Sequence, residues 1–263
     1  MRKYVIHYIK IMIYYMNDLT NRNVFIYWVG KEYKFIKILR DLIFLHSKNG
    51  KGYNVHFLSH ENINEYIKNI PKYFYKLIPE HQADFVRVYV ICEYGGIWLD
   101  SDTLVIDSLD SLFDILDEKD GFLLRHFTLG NGVFGSNKQT EFMKTWKASL
   151  LKDCKEKRNI EWAALGALML EKLYKQNNNL LKNYKIFNAQ DNLYPVKYYN
   201  CVKEYLKKPF DNYKNIVRDY QPLIVLVNSV YKNLEKEKIE DILKGKKPIN
   251  YFINKSFDNF NNK

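Results

Sequence analysis

Tyr94-Gly95-Gly96-Ile97-Trp98-Leu99-Asp100-Ser101-Asp102 packs a turn, a short strand and an acidic pair into one continuous stretch. Two successive glycines permit a backbone turn that few other residues can make. Ile97-Trp98-Leu99 is an apolar run of the kind found in buried strands. Asp100 and Asp102 stand where that strand ends, and carboxylates in that position suggest metal-assisted ligand binding.

Upstream, Pro79 opens a helix carrying His81-Gln82-Ala83-Asp84-Phe85-Val86-Arg87. Asp84 and Arg87 share one face at i and i+3, continued by Ile91 and Tyr94, while Phe85, Val88 and Cys92 face the core. The two charged residues therefore project together toward the side where the strand ends. The competing reading is an ordinary i, i+3 ion pair, worth only a few tenths of a kcal/mol on an exposed helix.

The chain before this region reads as strand, helix, strand. Asn23 to Gly30 is continuously apolar, Lys31 to Ser47 carries a wide helical stripe, and Tyr53 to Ser59 follows a Gly-rich break. That order implies a parallel sheet. Glu61 to Ile70 reads as a short helix stopped by Pro71. Beyond the acidic pair, Thr103 to Ile106 is extended and Asp110 to Asp117 helical. Gly121 to Phe127 and Gly132 to Gly135 are strands, Thr140 to Leu151 and Trp162 to Tyr174 helices, and Lys185 to Ala189 and Leu223 to Val227 strands. An amphipathic helix over Lys232 to Lys244 is expected to close the fold.

With 263 residues and 47% hydrophobic content, the chain can bury a full core, and no Gly-, Ser- or Pro-rich linker divides it. The expected organisation is an extension or amphipathic helix over residues 1–20 and one domain over residues 21–263. The net charge of +11 is spread along the chain in lysines and favours an anionic ligand or surface. Cys92, Cys154 and Cys201 give neither a disulfide framework nor paired zinc spacing, which fits a reducing, cytoplasmic compartment. Residues 1–16 are too short and too polar to span a bilayer. An interfacial helix with membrane association, a helix packed on the domain and an extension ahead of Met16 all remain open, the last two ranked first.

No Gly-rich phosphate loop follows the first strand, so glycine amides at a helix N-terminus are not the obvious cradle for a diphosphate. A divalent cation held by Asp102, with Asp100 directly or through water, would offset the phosphate charge. Hard oxygen ligands favour Mn²⁺ or Mg²⁺ over zinc.

The runs His81 to Arg87 and Tyr94 to Asp102 resemble the DXD region of glycosyltransferase family 32, which includes capsular-polysaccharide-synthesis-type enzymes and is similar to the catalytic domains of large clostridial glucosylating toxins. The likeness extends from Phe25-Ile26-Tyr27-Trp28-Val29-Gly30 through Asn131-Gly132-Val133-Phe134-Gly135 to Leu226-Val227-Asn228-Ser229-Val230-Tyr231. It implies an α/β fold of the GT-A kind, a Rossmann-like mixed sheet flanked by helices. It also implies a metal-dependent hexosyltransferase that takes a nucleotide-sugar donor, most simply a UDP-hexose, retains anomeric configuration, and delivers to a saccharide or other hydroxyl acceptor in polysaccharide biosynthesis.

By the same resemblance Asp102 is a metal ligand, and Asp100 lies near the ribose and metal-bound water. Asp84 and Arg87 hold the sugar and phosphate parts of the donor, Arg87 also stabilises the leaving group, and Trp98 belongs to the donor-binding set. Trp28 would stack on the base, with core filling as the competing reading. Asn131 would face the donor sugar, against a plain turn role. Asn228 and Ser229 would complete the metal or phosphate shell, against a helix cap. No acidic residue stands where the toxins bring one to the metal from this late region.

A different class of function also fits the charge: a basic module for nucleic acid or anionic membrane, with no need of a metal. A glycosidase fits poorly, because carboxylates two residues apart rarely face each other across a sugar.

Overall fold

Val24 to Tyr27 are all buried, as expected of a strand covered on both faces. They form most of β1 (Asn23–Tyr27), which ends before the expected Gly30, whose positive φ (85°) turns the chain. Helix α1 (Lys34–His46) returns the chain to β2 (Asn54–Leu58), which pairs in parallel with β1. Helix α2 (Ile63–Tyr66) is a single turn, shorter than its apolar spacing predicts, because Ile67 is already extended and buried in the core. The computed structural model describes residues 22–156, 160–189, 196, 200–207, 221–226, 230, 232, 234–235 and 237–261.

Helix α3 (Pro79–Tyr94) runs straight into β3 (Gly96–Leu99). The junction is the glycine pair: Gly95 has φ 69° and Gly96 φ 117°. A Cβ on Gly96 would stand 2.3 Å from the backbone oxygen of Asn23, because β3 lies directly against β1 there. Side-chain-free backbone is therefore required twice over, by torsion and by space.

β4 (Thr103–Val105) leaves the main sheet and pairs antiparallel with β8 (Leu223–Val225). Helix α4 (Asp110–Glu118) leads to the hairpin of β5 (Gly121–Arg125) and β6 (Leu129–Ser136). Helices α5 (Glu141–Glu156) and α6 (Ala167–Gln176) precede β7 (Tyr184–Asn188). The main sheet has the order β2-β1-β3-β6-β5-β7. β1 is parallel to β2 and β3, β6 is antiparallel to β3 and β5, and β7 is parallel to β5. This is the mixed sheet of an α/β fold, flanked by helices.

Period-two alternation divides the core. Val24, Ile26, Ile97, Leu99 and Val133 pack with α4 on one face, and Phe25, Tyr27, Trp98 and Phe134 pack with α3, α5 and α6 on the other. The closing helix differs from expectation. Helix α7 is confined to Ile239–Lys244, and α8 (Pro248–Asn261) completes the described fold. Ser256 of α8 donates to the Val105 carbonyl (2.6 Å) and pairs with buried His46 of α1 (2.9 Å), tying α8 to β4 and α1. The predicted Trp162–Tyr174 helix begins only at Ala167, and residues 162–166 are a turn. No described helix is long and apolar enough to cross a membrane. Residues 1–16 lie outside the described region.

Gly96→Ala combines a strained torsion with a backbone clash and should cost about 3 kcal/mol or more of folding stability, read as a lowered urea midpoint. A variant that unfolds with the wild-type midpoint would contradict this account of the α3–β3 junction.

Candidate active site

Asp84 and Arg87, each only 6% exposed, are buried rather than splayed on a solvated helix face. Arg87 is the hub. Its Nη1 donates to the Asn131 carbonyl (2.6 Å), its Nη2 lies 3.2 Å from Asp100 Oδ1, and its Nε lies 3.5 Å from Asp84 Oδ1. The guanidinium also stands over the Trp98 ring, 5.1 Å from the centroid. One cation thus joins the helix before the glycine turn, the strand after it, and β6.

The rest of the cluster closes the circuit. Trp98 Nε1 donates to Asp100 Oδ1 (2.9 Å), and Asn131 Nδ2 donates to Asp84 Oδ1 (2.7 Å). Asp100 N donates to the Gly132 carbonyl (2.8 Å), and Thr103 N to the Asp100 carbonyl (3.0 Å), which shapes the Asp100–Asp102 bend. Trp98 is 1% exposed, so it acts from beneath Arg87 and Asp100 and presents no open face to a ligand. Asp100 keeps 33% of its side chain open.

The electrostatics are unbalanced. Burial pushes Asp84 up to about 6, against the lowering influence of Arg87 and the Asn131 hydrogen bond. Asp100 is raised by burial, partly offset by Arg87 and Trp98. Asp102 is raised well above the ordinary carboxylate range by burial first and then by the neighbouring Asp100 charge. Three carboxyls share one guanidinium, so with all three ionised the cluster would carry more negative charge than it neutralises. Two hard-oxygen donors at a strand end with surplus negative charge fit a divalent cation. Among the described residues no three His, Cys, Asp or Glu side chains converge on one point, so neutral oxygens or water would have to complete the shell. Asn228 and Ser229 lie outside the described residues. Leu226 N donates to the Asp102 carbonyl (3.0 Å), which brings the chain that leads to them alongside the acidic pair.

A cleft of about 420 Å³ opens beside this cluster at the carboxyl ends of β1 and β2. Chain order reverses there, since β2 and β3 lie on opposite sides of β1, and such switch points are where open α/β sheets take ligands. Trp28, Phe57 and His60 line it, with the Glu32–Arg40 ion pair (2.7 Å). Ser101 belongs to both regions: it lines the cleft, stands between the two aspartates, and donates to the Tyr27 carbonyl (2.9 Å). Trp28 is half-buried, with its Nε1 donating to the Lys31 carbonyl (3.3 Å), and so keeps part of its ring available to the cleft.

The structure thus gathers Asp84, Arg87, Trp98, Asp100 and Asn131 into one hydrogen-bonded cluster, with Asp102 at its edge and Trp28 across the adjoining cleft. Sequence reading assigns no role to Ser101, Glu32 or Arg40. It also passed over Gln82, whose Oε1 meets both Tyr27 OH (3.0 Å) and His60 Nε2 (2.8 Å). Only Gln82 carried a signal, since it lies next to the Asp84–Arg87 face.

A model of the capsular polysaccharide synthesis protein family matches residues 2–262. The chain belongs to that family. An uncharacterized protein of Arabidopsis thaliana is 27% identical over 92 residues, which is 31% of this chain and 14% of that protein's length. Among solved structures, the chain is similar to a glycosyltransferase involved in glycosylation of the major capsid of PBCV-1, with 13% identity, 81% of this chain and 98% of the other covered, and TM-score 0.49. It is also similar to the glycosyltransferase GlyE of Streptococcus pneumoniae, with 16% identity, 91% and 64% covered, and TM-score 0.48. A third is the galactosyltransferase LgtC in complex with donor and acceptor sugar analogs, with 13% identity, 85% and 99% covered, and TM-score 0.40.

The raised pKa of Asp84 has a definite sign. A carboxyl whose folded value is about 6 stabilises the fold most below its unfolded value of roughly 4, and that stability is lost as pH rises through about 6. Chelator-treated protein should therefore lose roughly 2–3 kcal/mol from this group between pH 4 and pH 7. Asp84→Asn should flatten that part of the curve, and chemical denaturation across the pH range checks it.

Proposed function

We propose that this protein is a metal-dependent glycosyltransferase of family 32 with a GT-A fold, moving a hexose from a UDP-sugar to a saccharide or other hydroxyl acceptor with retention of configuration. The observation that carries the reading is the Arg87 clamp, which holds Asp84, Asp100 and the Asn131 carbonyl together beside a cleft of nucleoside size. Membership of a polysaccharide-synthesis family supports it from an independent direction.

In this reading the base and ribose occupy the cleft, with Trp28 offering its ring face to the base. Ser101 marks the step from ribose to diphosphate. Asp102 and Asp100 hold Mn²⁺ or Mg²⁺, with Asn228 and Ser229 as further oxygen ligands. The cation supplies Lewis-acid stabilisation of the diphosphate leaving group. Asp84 and Asn131 bind sugar hydroxyls. Arg87 keeps the carboxylates in place and lends its charge to the departing phosphate oxygens. Transfer forms a bond from the acceptor oxygen to the anomeric carbon as the bond from that carbon to the phosphate oxygen breaks. The acceptor's proton leaves with the diphosphate or to solvent. Trp98 supports the reaction by fixing Asp100 and Arg87 from below.

A screen of nucleotide sugars for Mn²⁺-dependent hydrolysis tests the proposal, with UDP-hexoses expected to be cleaved. Asp102→Asn should lower hydrolysis and transfer more than about 100-fold. Thermal stability of the metal-free variant should hold or rise, because the replaced carboxyl is one that burial penalises. Full activity in Asp102→Asn would refute the metal assignment.

A further inference from the structure

Residues 161–166 form a turn laid against the Asp84 cluster and held at both ends. At its start, Nε2 of buried His81, on α3 three residues before Asp84, donates to the Glu161 carbonyl (3.1 Å). Within it, Ala164 N donates to the Glu161 carbonyl (2.9 Å), and Leu165 is fully buried in the core. At its end stands Gly166, the residue that precedes α6. A Cβ on Gly166 would lie 2.4 Å from Asn131 Nδ2, far inside contact distance, and 3.0 Å from Asp84 Oδ1, a tight approach.

The atoms in the way are side-chain atoms, yet they are not free to move. Asn131 Nδ2 is engaged with Asp84 Oδ1 (2.7 Å), and the backbone oxygen of Asn131 takes Nη1 of Arg87 (2.6 Å). A methyl group at position 166 would therefore be accommodated by swinging the Asn131 amide off the Asp84 carboxylate. The strand and the helix need not move.

We infer that Gly166 is a positioning residue, whose missing side chain keeps the Asn131 amide seated on Asp84 beneath the 161–166 turn. The inference deepens the proposed function, since it rests on Asp84 and Asn131 binding the donor. It explains why the expected helix over Trp162 to Tyr174 starts late: the chain spends residues 161–166 lying over the cluster before it turns into α6. A side chain at 166 acts on the donor first through Asn131, the nearer of the two groups it would meet.

The test uses the full chain and two readouts. In Gly166→Ala, the side-chain amide resonances of Asn131, assigned by their loss in Asn131→Ala, should shift away from their carboxylate-bonded position. Affinity for a UDP-hexose with Mn²⁺ should fall at least about ten-fold, while the melting temperature changes by less than about 3 °C. In an Asn131→Ala background, Gly166→Ala should weaken UDP-hexose binding by no more than about two-fold, because the closest clash has been removed. An unmoved Asn131 amide, or losses that multiply in the double variant, would overturn the inference. If Gly166→Ala fails to fold, a normally folded double variant supports the inference and a misfolded one overturns it. Wild-type protein that ignores a UDP-hexose with Mn²⁺ would count against the donor reading alone, and the amide resonances would still decide the role of Gly166.

Discussion

A buried guanidinium holding two carboxylates and a strand carbonyl is the interaction on which the site depends. Without Arg87, Asp84 would keep only the neutral Asn131 amide as a side-chain partner, and Asp100 only the Trp98 indole. Removing one partner from such a buried network is far costlier than the net worth of the network. The glycine turn exists to make this bridge possible. Gly95 and Gly96 reverse the chain so sharply that residues on α3 and residues just past β3 come within hydrogen-bond reach.

The same constraint explains the sheet. β3 must pass close to β1 at Gly96 and present its last residue, Leu99, opposite Val133 of β6. That register carries Asn131 and Gly132 past the end of β3, where Asp100 N bonds the Gly132 carbonyl and Arg87 bonds the Asn131 carbonyl. Site geometry is thus an extension of β-ladder geometry by one residue, which makes it as rigid as the sheet itself.

Much of this was legible in the sequence because it was local. The i, i+3 spacing of Asp84 and Arg87, the paired glycines and the Asp-Ser-Asp ending each depend on neighbours along the chain. β-branched runs located β1, β2 and β7 to within a few residues, apart from the C-terminal overrun of β1. What was illegible depends on partners far away. Nothing near Gly166 announces that Asn131 and Asp84 will occupy the space where its side chain would be. Nothing near Glu32 or Arg40 says that they will wall a cleft. Helix α8 went unread because its apolar spacing is broken by asparagines whose polar groups are satisfied across the fold. Asn250 reaches the Ile242 carbonyl and Asn259 the Ile106 carbonyl.

The burial of Asp84 and the surplus negative charge around it point to a cost carried for a purpose. A sequence selected for stability alone would not place three acids around one arginine, with burial raising each of them. The imbalance destabilises the empty site and favours whatever brings positive charge to Asp100 and Asp102, so ligand binding and fold stability are coupled at this point. Because Arg87 already occupies Oδ1 of Asp100, the incoming charge must act through the carboxylate oxygens that the clamp leaves open.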